Sequence, residues 1–248
     1  MATFMLIHGM YAGGWCWKHV TSLLRAAGHD VYTPTLTGTG ERVHLAGPAV
    51  DLDTHITDVV NVLAFEELQD VILAGWSYGG VVITGVADRA PARLRHLVYL
   101  DADLPKHGQS DLDLEVAEVR TRREAQARAA GDGWQVPRPD PERMDRSLRD
   151  WIPDDETRRW FFAKLTDHPF KTLAQPLHLS NPAALDALGR TYILCTEGKS
   201  EGDIPLRTVA WLRHEPGWRI RELASTHFAP ISAPREVADL LLEIAALP

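Results

Sequence analysis

The chain has 248 residues, 45% of them hydrophobic and 24% charged, which is enough apolar side chain for the core of one large α/β domain. Its formal net charge is −8 with no basic block, which argues against nucleic acid as a partner, because phosphate neutralisation needs clustered cations. Cys16 and Cys195 stand far apart without metal-ligand spacing, no apolar run reaches the ~18 residues of a membrane span, and no basic leader precedes the first strand, so a cytoplasmic chain with no membrane contact and no disulfide framework is expected.

Short apolar strands alternate with amphipathic helices along the chain. Strands are expected at 3–7, 30–34, 70–74, 96–100, 190–195 and 218–223, and helices at 15–27, 53–65, 78–89, 205–213 and 233–246. This alternation predicts an α/β fold with about six parallel strands and helices on both faces. Asp53 is placed to cap the second helix, and Pro234 suits the first turn of the last. After the first strand, His8-Gly9-Met10-Tyr11-Ala12-Gly13-Gly14-Trp15 is a loop whose backbone can approach a ligand closely. It lacks the Gly-Lys-Ser/Thr of a phosphate loop and the three spaced glycines of a dinucleotide site. Thr37-Gly-Thr-Gly-Glu-Arg42 is a second loop, in which Arg42 reads as a structural ion-pair partner rather than a catalyst.

The third strand, Val71-Ile72-Leu73-Ala74, runs into Gly75-Trp76-Ser77-Tyr78-Gly79-Gly80 and then into an apolar helix. A Gly-x-Ser-x-Gly between strand and helix is a nucleophile elbow. Its turn is so tight that the flanking side chains must be nearly absent, and it lifts the Ser77 hydroxyl to the positive end of a helix.

Between about 104 and 185 the rhythm breaks. This stretch holds the charged run Glu118–Glu124, the proline-rich Pro137-Arg-Pro-Asp-Pro141, and the aromatics Trp134, Trp151, Trp160, Phe161, Phe162 and Phe170. It is read as a helical cap inserted over the carboxyl ends of the strands, where open α/β sheets bind ligands. Residues 1–103 and 186–248 then form the core. The cap aromatics either roof a pocket or glue the insertion to the core.

A serine hydroxyl needs a base, an orienting acid and donors for the developing oxyanion. In this arrangement the base follows the last strand, and His227 in Ala224-Ser-Thr-His227-Phe-Ala-Pro230 stands there. The acid has two candidate locations. Asp101, the first residue off a buried strand, is favoured, because a bare carboxylate there needs a partner such as a histidine N–H. Asp203, Glu197 and Glu201, in the loop after 190–195, are the alternatives. The oxyanion donors are expected to be the backbone N–H groups of Tyr78 and Met10.

Leu6-Ile-His-Gly-Met-Tyr-Ala-Gly-Gly-Trp-Cys-Trp17, Gly75-Trp-Ser-Tyr-Gly-Gly80 and Thr226-His227 together resemble the α/β-hydrolase superfamily. Within it the chain looks like the branch holding plant methyl esterases, hydroxynitrile lyases and bacterial esterase-like proteins. The resemblance covers nearly the whole length and is weakest across 110–175. It implies the α/β-hydrolase fold with a small helical cap, and ester hydrolysis of a small molecule without cofactor or metal; a homodimer is compatible with it. Two departures matter. Plant members carry an aspartate soon after the Cys-Thr-Glu-like stretch, where this chain has Gly198 and a short insertion before Ile204-Pro205; this favours Asp101 as the acid. Hydroxynitrile lyases carry a threonine after the first-loop histidine and a lysine after the catalytic histidine, where this chain has Gly9 and Phe228. Without that lysine to stabilise cyanide, cyanohydrin cleavage is not expected.

The expected reaction is therefore acyl transfer through Ser77 on a carboxylic ester, lactone or thioester with an apolar or aromatic group. Two rival readings share the scaffold: a ring-opening, cyclising or otherwise non-hydrolytic enzyme of specialised metabolism, and a ligand-binding protein with weak turnover.

Overall fold

The computed structural model describes residues 1–130 and 132–247; Gly131, within the expected insertion, and Pro248, at the end of the expected core, lie outside the described residues. In chain order the first half contains β1 (Thr3–Ile7), a 3-10 turn (Gly14–Trp17) running into α1 (Lys18–Ala26), β2 (Asp30–Tyr32), α2 (Leu52–Phe65), β3 (Val71–Trp76), α3 (Gly79–Arg89) and β4 (Leu94–Leu100). Next come α4 (Ala117–Ala130), β5 (Gln135–Val136), α5 (Pro141–Ser147), α6 (Asp155–Ala163), β6 (His168–Pro169), α7 (Phe170–Ala174) and α8 (Pro182–Asp186). The chain closes with β7 (Gly189–Cys195), α9 (Ile204–Leu212), β8 (Trp218–Leu223), α10 (Ala229–Ser232) and α11 (Pro234–Ala245).

Six strands form one parallel sheet in the order β2-β1-β3-β4-β7-β8. Because side chains alternate along a strand, each face of the sheet builds its own core. Phe4 and Leu6 of β1, Ile72 of β3 and Val98 of β4 join Leu24 of α1 and Leu241 of α11. Met5 and Ile7, Leu73 and Leu97 join Ile56 of α2 and Val82 of α3 on the opposite face. Strand order reverses between β1 and β3, so the crevice at their carboxyl ends is the natural ligand site of this topology. The His8–Trp15 loop and Ser77 both leave the sheet at that point.

The cap of α2 differs from the expectation. Asp51, not Asp53, is the N-cap: its carboxylate accepts from Thr54 N at 3.0 Å, and the Asp51 amide donates back to Thr54 Oγ1 at 3.4 Å, a capping box. Leu52 is buried and already helical, so the helix starts one residue earlier than the pattern predicts. Asp53 instead pairs with Arg89 and accepts from Gln175 Nε2. Arg42 is a structural ion-pair partner, 3.3 Å from Asp58 and donating to Thr35 O. Pro234 occupies the first turn of α11.

The stretch from 104 to 185 contains α4 to α7, the start of α8 and one short antiparallel pair, Gln135 with Pro169 and Val136 with His168, in a region read as a helical cap. Its aromatics serve both expected purposes. Phe161 packs against Trp15, Trp76 and Phe228 with ring centroids 5.6, 6.3 and 5.5 Å away, and Phe161 and Phe162 also line a cavity. From Phe170 onward the stretch returns to the core: Leu52 N donates to Gln175 Oε1, and the Asp88 carboxylate accepts from Ser180 N and Asn181 N. No helix among the described residues is long and apolar enough to cross a membrane.

The capping box predicts that Asp51→Ala lowers the unfolding free energy by about 1 kcal/mol. Asp53→Ala, which removes only exposed contacts, is expected to cost under about half of that. Urea denaturation of the two variants beside the parent chain checks the difference.

Candidate active site

Ser77 occupies the bend between β3 and α3 with φ 55°, the left-handed region that a non-glycine residue adopts only under constraint. Its amide donates to Leu100 O, continuing the β3–β4 ladder, and its carbonyl accepts from Gly80 N and Asp103 N at 2.9 and 3.0 Å. The flanking glycines are sterically required. A Cβ on Gly75 would lie 2.5 Å from the Gly79 carbonyl carbon, and one on Gly79 would lie 2.7 Å from Ile7 O. Gly9 of the first loop also lies against this turn: a Cβ added there would come within 3.0 Å of the Ser77 Cβ.

His227 follows β8 and is held by its own backbone: Trp76 Nε1, one residue before Ser77, donates to His227 O at 2.7 Å. Its ring Nδ1 lies 2.7 Å from Asp101 Oδ2. Asp101 is fully buried at the end of β4, where its Oδ1 accepts from Cys195 N at 3.1 Å. Lys199, which the sequence reading did not single out, places its ammonium on the same Oδ2. Burial alone would raise the Asp101 carboxyl, but the His227 bond and the Lys199 charge outweigh it and hold the group below the usual carboxylate range.

None of the alternative acids accepts a hydrogen bond from His227. Glu197 is exposed, with its amide on Ser225 O; Asp203 accepts from Ser200 N at the start of α9; Glu201 stands exposed on the cavity wall. At the position where the plant pattern carries its aspartate, Gly198 has φ +68°, and a Cβ there would press to 3.0 Å of the Trp151 ring. An aspartate at 198 would be strained by both backbone and packing.

Ser77 and His227 line two adjoining cavities. One, about 190 Å³, is walled by Met10, Trp76, Phe161, Phe162, Leu165 and Phe228. The other, about 360 Å³, is more polar than the first, with Asp103, Glu115, Arg123 and Lys199 in its wall beside Val116, Val119, Trp151 and Ile204. Among the described residues the Ser77 hydroxyl has no hydrogen-bond partner, and such contacts commonly tighten only around substrate. The Met10 and Tyr78 amides are likewise taken by no acceptor among the described residues, and Tyr78 sits at the start of α3. No group of three or more potential ligands among the described residues is arranged to hold a metal ion.

Beneath the first loop lies a buried set of histidines that sequence reasoning missed, because no local pattern links them. His8 accepts from Leu36 N at 3.0 Å, His55 bridges Tyr78 OH and Thr37 O, and His168 accepts from Tyr11 N and meets Thr172 Oγ1. Burial pushes His8 and His55 down to about 4 and His168 well below the usual value, so all three are neutral. An unfolded histidine protonates near 6.5, so below that pH the unfolded chain takes up protons that the fold excludes. Stability contributed by each is full above about pH 6.5 and falls toward pH 4, by up to about 1.4 kcal/mol per pH unit. His55→Gln removes one such proton and should flatten the loss of stability between about pH 6.5 and 5 by up to that amount, as read from urea midpoints.

With this geometry in view, the chain matches the model of the alpha/beta hydrolase family over residues 4–240. It is 38% identical over 248 residues to a carbendazim hydrolyzing esterase of Nocardioides sp. (strain SG-4G), covering 97% of this chain and 98% of that protein. It is 28% identical to putative methylesterase 11, chloroplastic, of Arabidopsis thaliana over 98% of this chain and 64% of that protein. Among solved structures, an extracellular alpha/beta-hydrolase from a Paenibacillus species superposes with a TM-score of 0.83 at 26% identity, covering 98% of both chains. With a matching family model, a near full-length relative and the same sheet, the chain belongs to the alpha/beta hydrolase family.

Proposed function

We propose that this protein is a serine hydrolase that cleaves a carboxylic ester through an acyl-serine intermediate. The observation that carries the reading is the 2.7 Å bond from His227 to a fully buried Asp101, with the ring facing the cavity that holds Ser77. Ser77 attacks the carbonyl carbon while the His227 ring takes its proton. Asp101 accepts from Nδ1–H, which leaves Nε2 as the base and stabilises the imidazolium that forms. The Met10 and Tyr78 amides receive the oxyanion, each worth about 3 kcal/mol in comparable sites. His227 then protonates the departing alkoxide, and water attacks the acyl-enzyme by the same route in reverse.

The matched relatives named as an esterase and a methylesterase support this chemistry. The aromatic cavity beside Ser77 favours an apolar or aromatic group on one side of the scissile bond. Residues 104–185 act as the cap over it, fastened by Thr226 Oγ1 donating to Trp151 O at 2.9 Å. Phe228, packed against Trp76 and Trp151, stands directly after His227, where the cyanohydrin-cleaving pattern carries a lysine. The free, buried Cys16 and Cys195 fit a reducing, cytoplasmic compartment.

Asp101→Asn should lower kcat on a p-nitrophenyl ester by about 10⁴, with Glu197→Ala and Asp203→Ala near the parent rate. Ser77→Ala should abolish both turnover and labelling by an organophosphonate. Loss of rate in Asp203→Ala or Glu197→Ala with Asp101→Asn unaffected would overturn the acid assignment.

A further inference from the structure

Asp103 lies two residues beyond Asp101 and lines the polar cavity with Ser77 and His227. Its amide is bonded to Ser77 O at 3.0 Å, so its backbone is fixed to the nucleophile's own turn. Behind it, Asp111 opens a short 3-10 turn (Asp111–Asp113) and is 5% exposed. Asp111 Oδ1 is buried and meets no hydrogen-bond donor among the described residues. Burial drives Asp111 up to about 7 against the pull of Arg123; burial and the Asp111 charge drive Asp103 well above the ordinary carboxylate range. Asp103 brings a carboxyl, with acceptor oxygens, to the cavity wall.

The cations nearby are already engaged. Arg123 donates to Glu115 at 2.7 and 3.1 Å and to Met10 Sδ, Lys199 is on Asp101, and Arg207 donates to Leu114 O. Glu201 and Asp203 add further acid to the same wall. The four acids of this wall therefore outnumber its three cations, of which Arg123 also reaches the aromatic cavity on the other side of Ser77.

We infer that Asp103, backed by Asp111, is a specificity-determining residue that selects esters carrying an N–H-donating or cationic nitrogen on the part that enters the polar cavity; this rests on the serine-hydrolase reading of the same site. A charge-assisted hydrogen bond in such a cavity corresponds to a preference of about tenfold or more over an isosteric apolar group.

The test uses two matched pairs on the full chain: acetate esters of 3-(aminomethyl)phenol and 3-ethylphenol, and methyl esters of 3-(aminomethyl)benzoic and 3-ethylbenzoic acid. In at least one pair the amine should be preferred about tenfold in kcat/KM. Asp103→Leu should erase that ratio, and Asp111→Asn, which leaves the Asp103 carboxyl in the cavity wall, should keep it. Should Asp103→Leu fail to fold, Asp103→Asn, which keeps the shape and removes the carboxyl, carries the same expected loss. No amine preference in the parent chain, an unchanged ratio in the Asp103 variant, or equal loss in both variants overturns the inference. Benzylamine binding by calorimetry separates the two readings, since it needs no turnover. Its Kd should rise about tenfold on replacing Asp103. That rise with no ester cleaved and no phosphonate on Ser77 would sink the hydrolase reading and keep the recognition. Cleaved esters with benzylamine binding unchanged would sink the recognition alone.

Discussion

The burial of one carboxylate governs the architecture of the site. Asp101 is fully enclosed, and an unpaired ion there would cost several kcal/mol. Three groups from three separate places meet that demand: the His227 ring after β8, the Lys199 ammonium after β7, and the Cys195 amide at the end of β7. The register of β4 against β7 brings them together, since Asp101 N also continues the ladder to Ile193 O at 2.8 Å. A shift of one residue in that register would turn the carboxylate to the opposite face of the sheet. The loop holding Lys199, the histidine loop and the sheet edge are thus locked by a single charge.

Around that charge the backbone is held in conformations it would not choose. Tyr11, Ser77 and Asp101 all have positive φ, at 66°, 55° and 47°. Each costs of order 1 kcal/mol or more and persists only where neighbours over-determine it. Ser77 is held by Gly80 N and Asp103 N on its carbonyl. Tyr11 is clamped on both sides by residues 166–168: its amide donates to His168 Nδ1, and its carbonyl accepts from Thr166 N at 3.0 Å. The loop bearing Met10 therefore takes its shape partly from residues about 155 positions further on, and the neutral state of His168 is part of that support, because a protonated ring could not accept.

Different residues wall the two cavities at Ser77. Trp76, Phe161, Phe162 and Phe228 line one, Asp103, Glu115 and Lys199 the other, and Arg123 reaches both. An ester lying across the nucleophile would meet an apolar wall with one end and a polar wall with the other, which orients it without any contribution from the reacting atoms.

Much of this was legible along the chain because it is local. β1 and β8 fall at 3–7 and 218–223 as the periodicity predicts, and the strand–glycine–serine–glycine–helix pattern identifies Ser77 through steric rules that act within five residues. The position of His227 followed from its place after the last strand. Asp51 displaced Asp53 as a cap because the burial of Leu52, a tertiary contact, decides where α2 begins. Asp101 stood in sequence beside three alternatives of the same chemistry, and only folding separates them: strands 94–100 and 189–195 pair, Gly198 meets Trp151, and Lys199 reaches the one carboxylate that is buried. The histidine set of His8, His55 and His168 and the Asp103–Asp111 pair left no trace in periodicity. The sequence by itself determined the strands and the sharp turn at Ser77, which depend on backbone sterics and on which residues resist water. Tertiary structure alone decided which carboxylate meets His227, and which cation and which neutral histidines lie nearby, because desolvation and charge pairing depend on distances between residues that the chain keeps far apart.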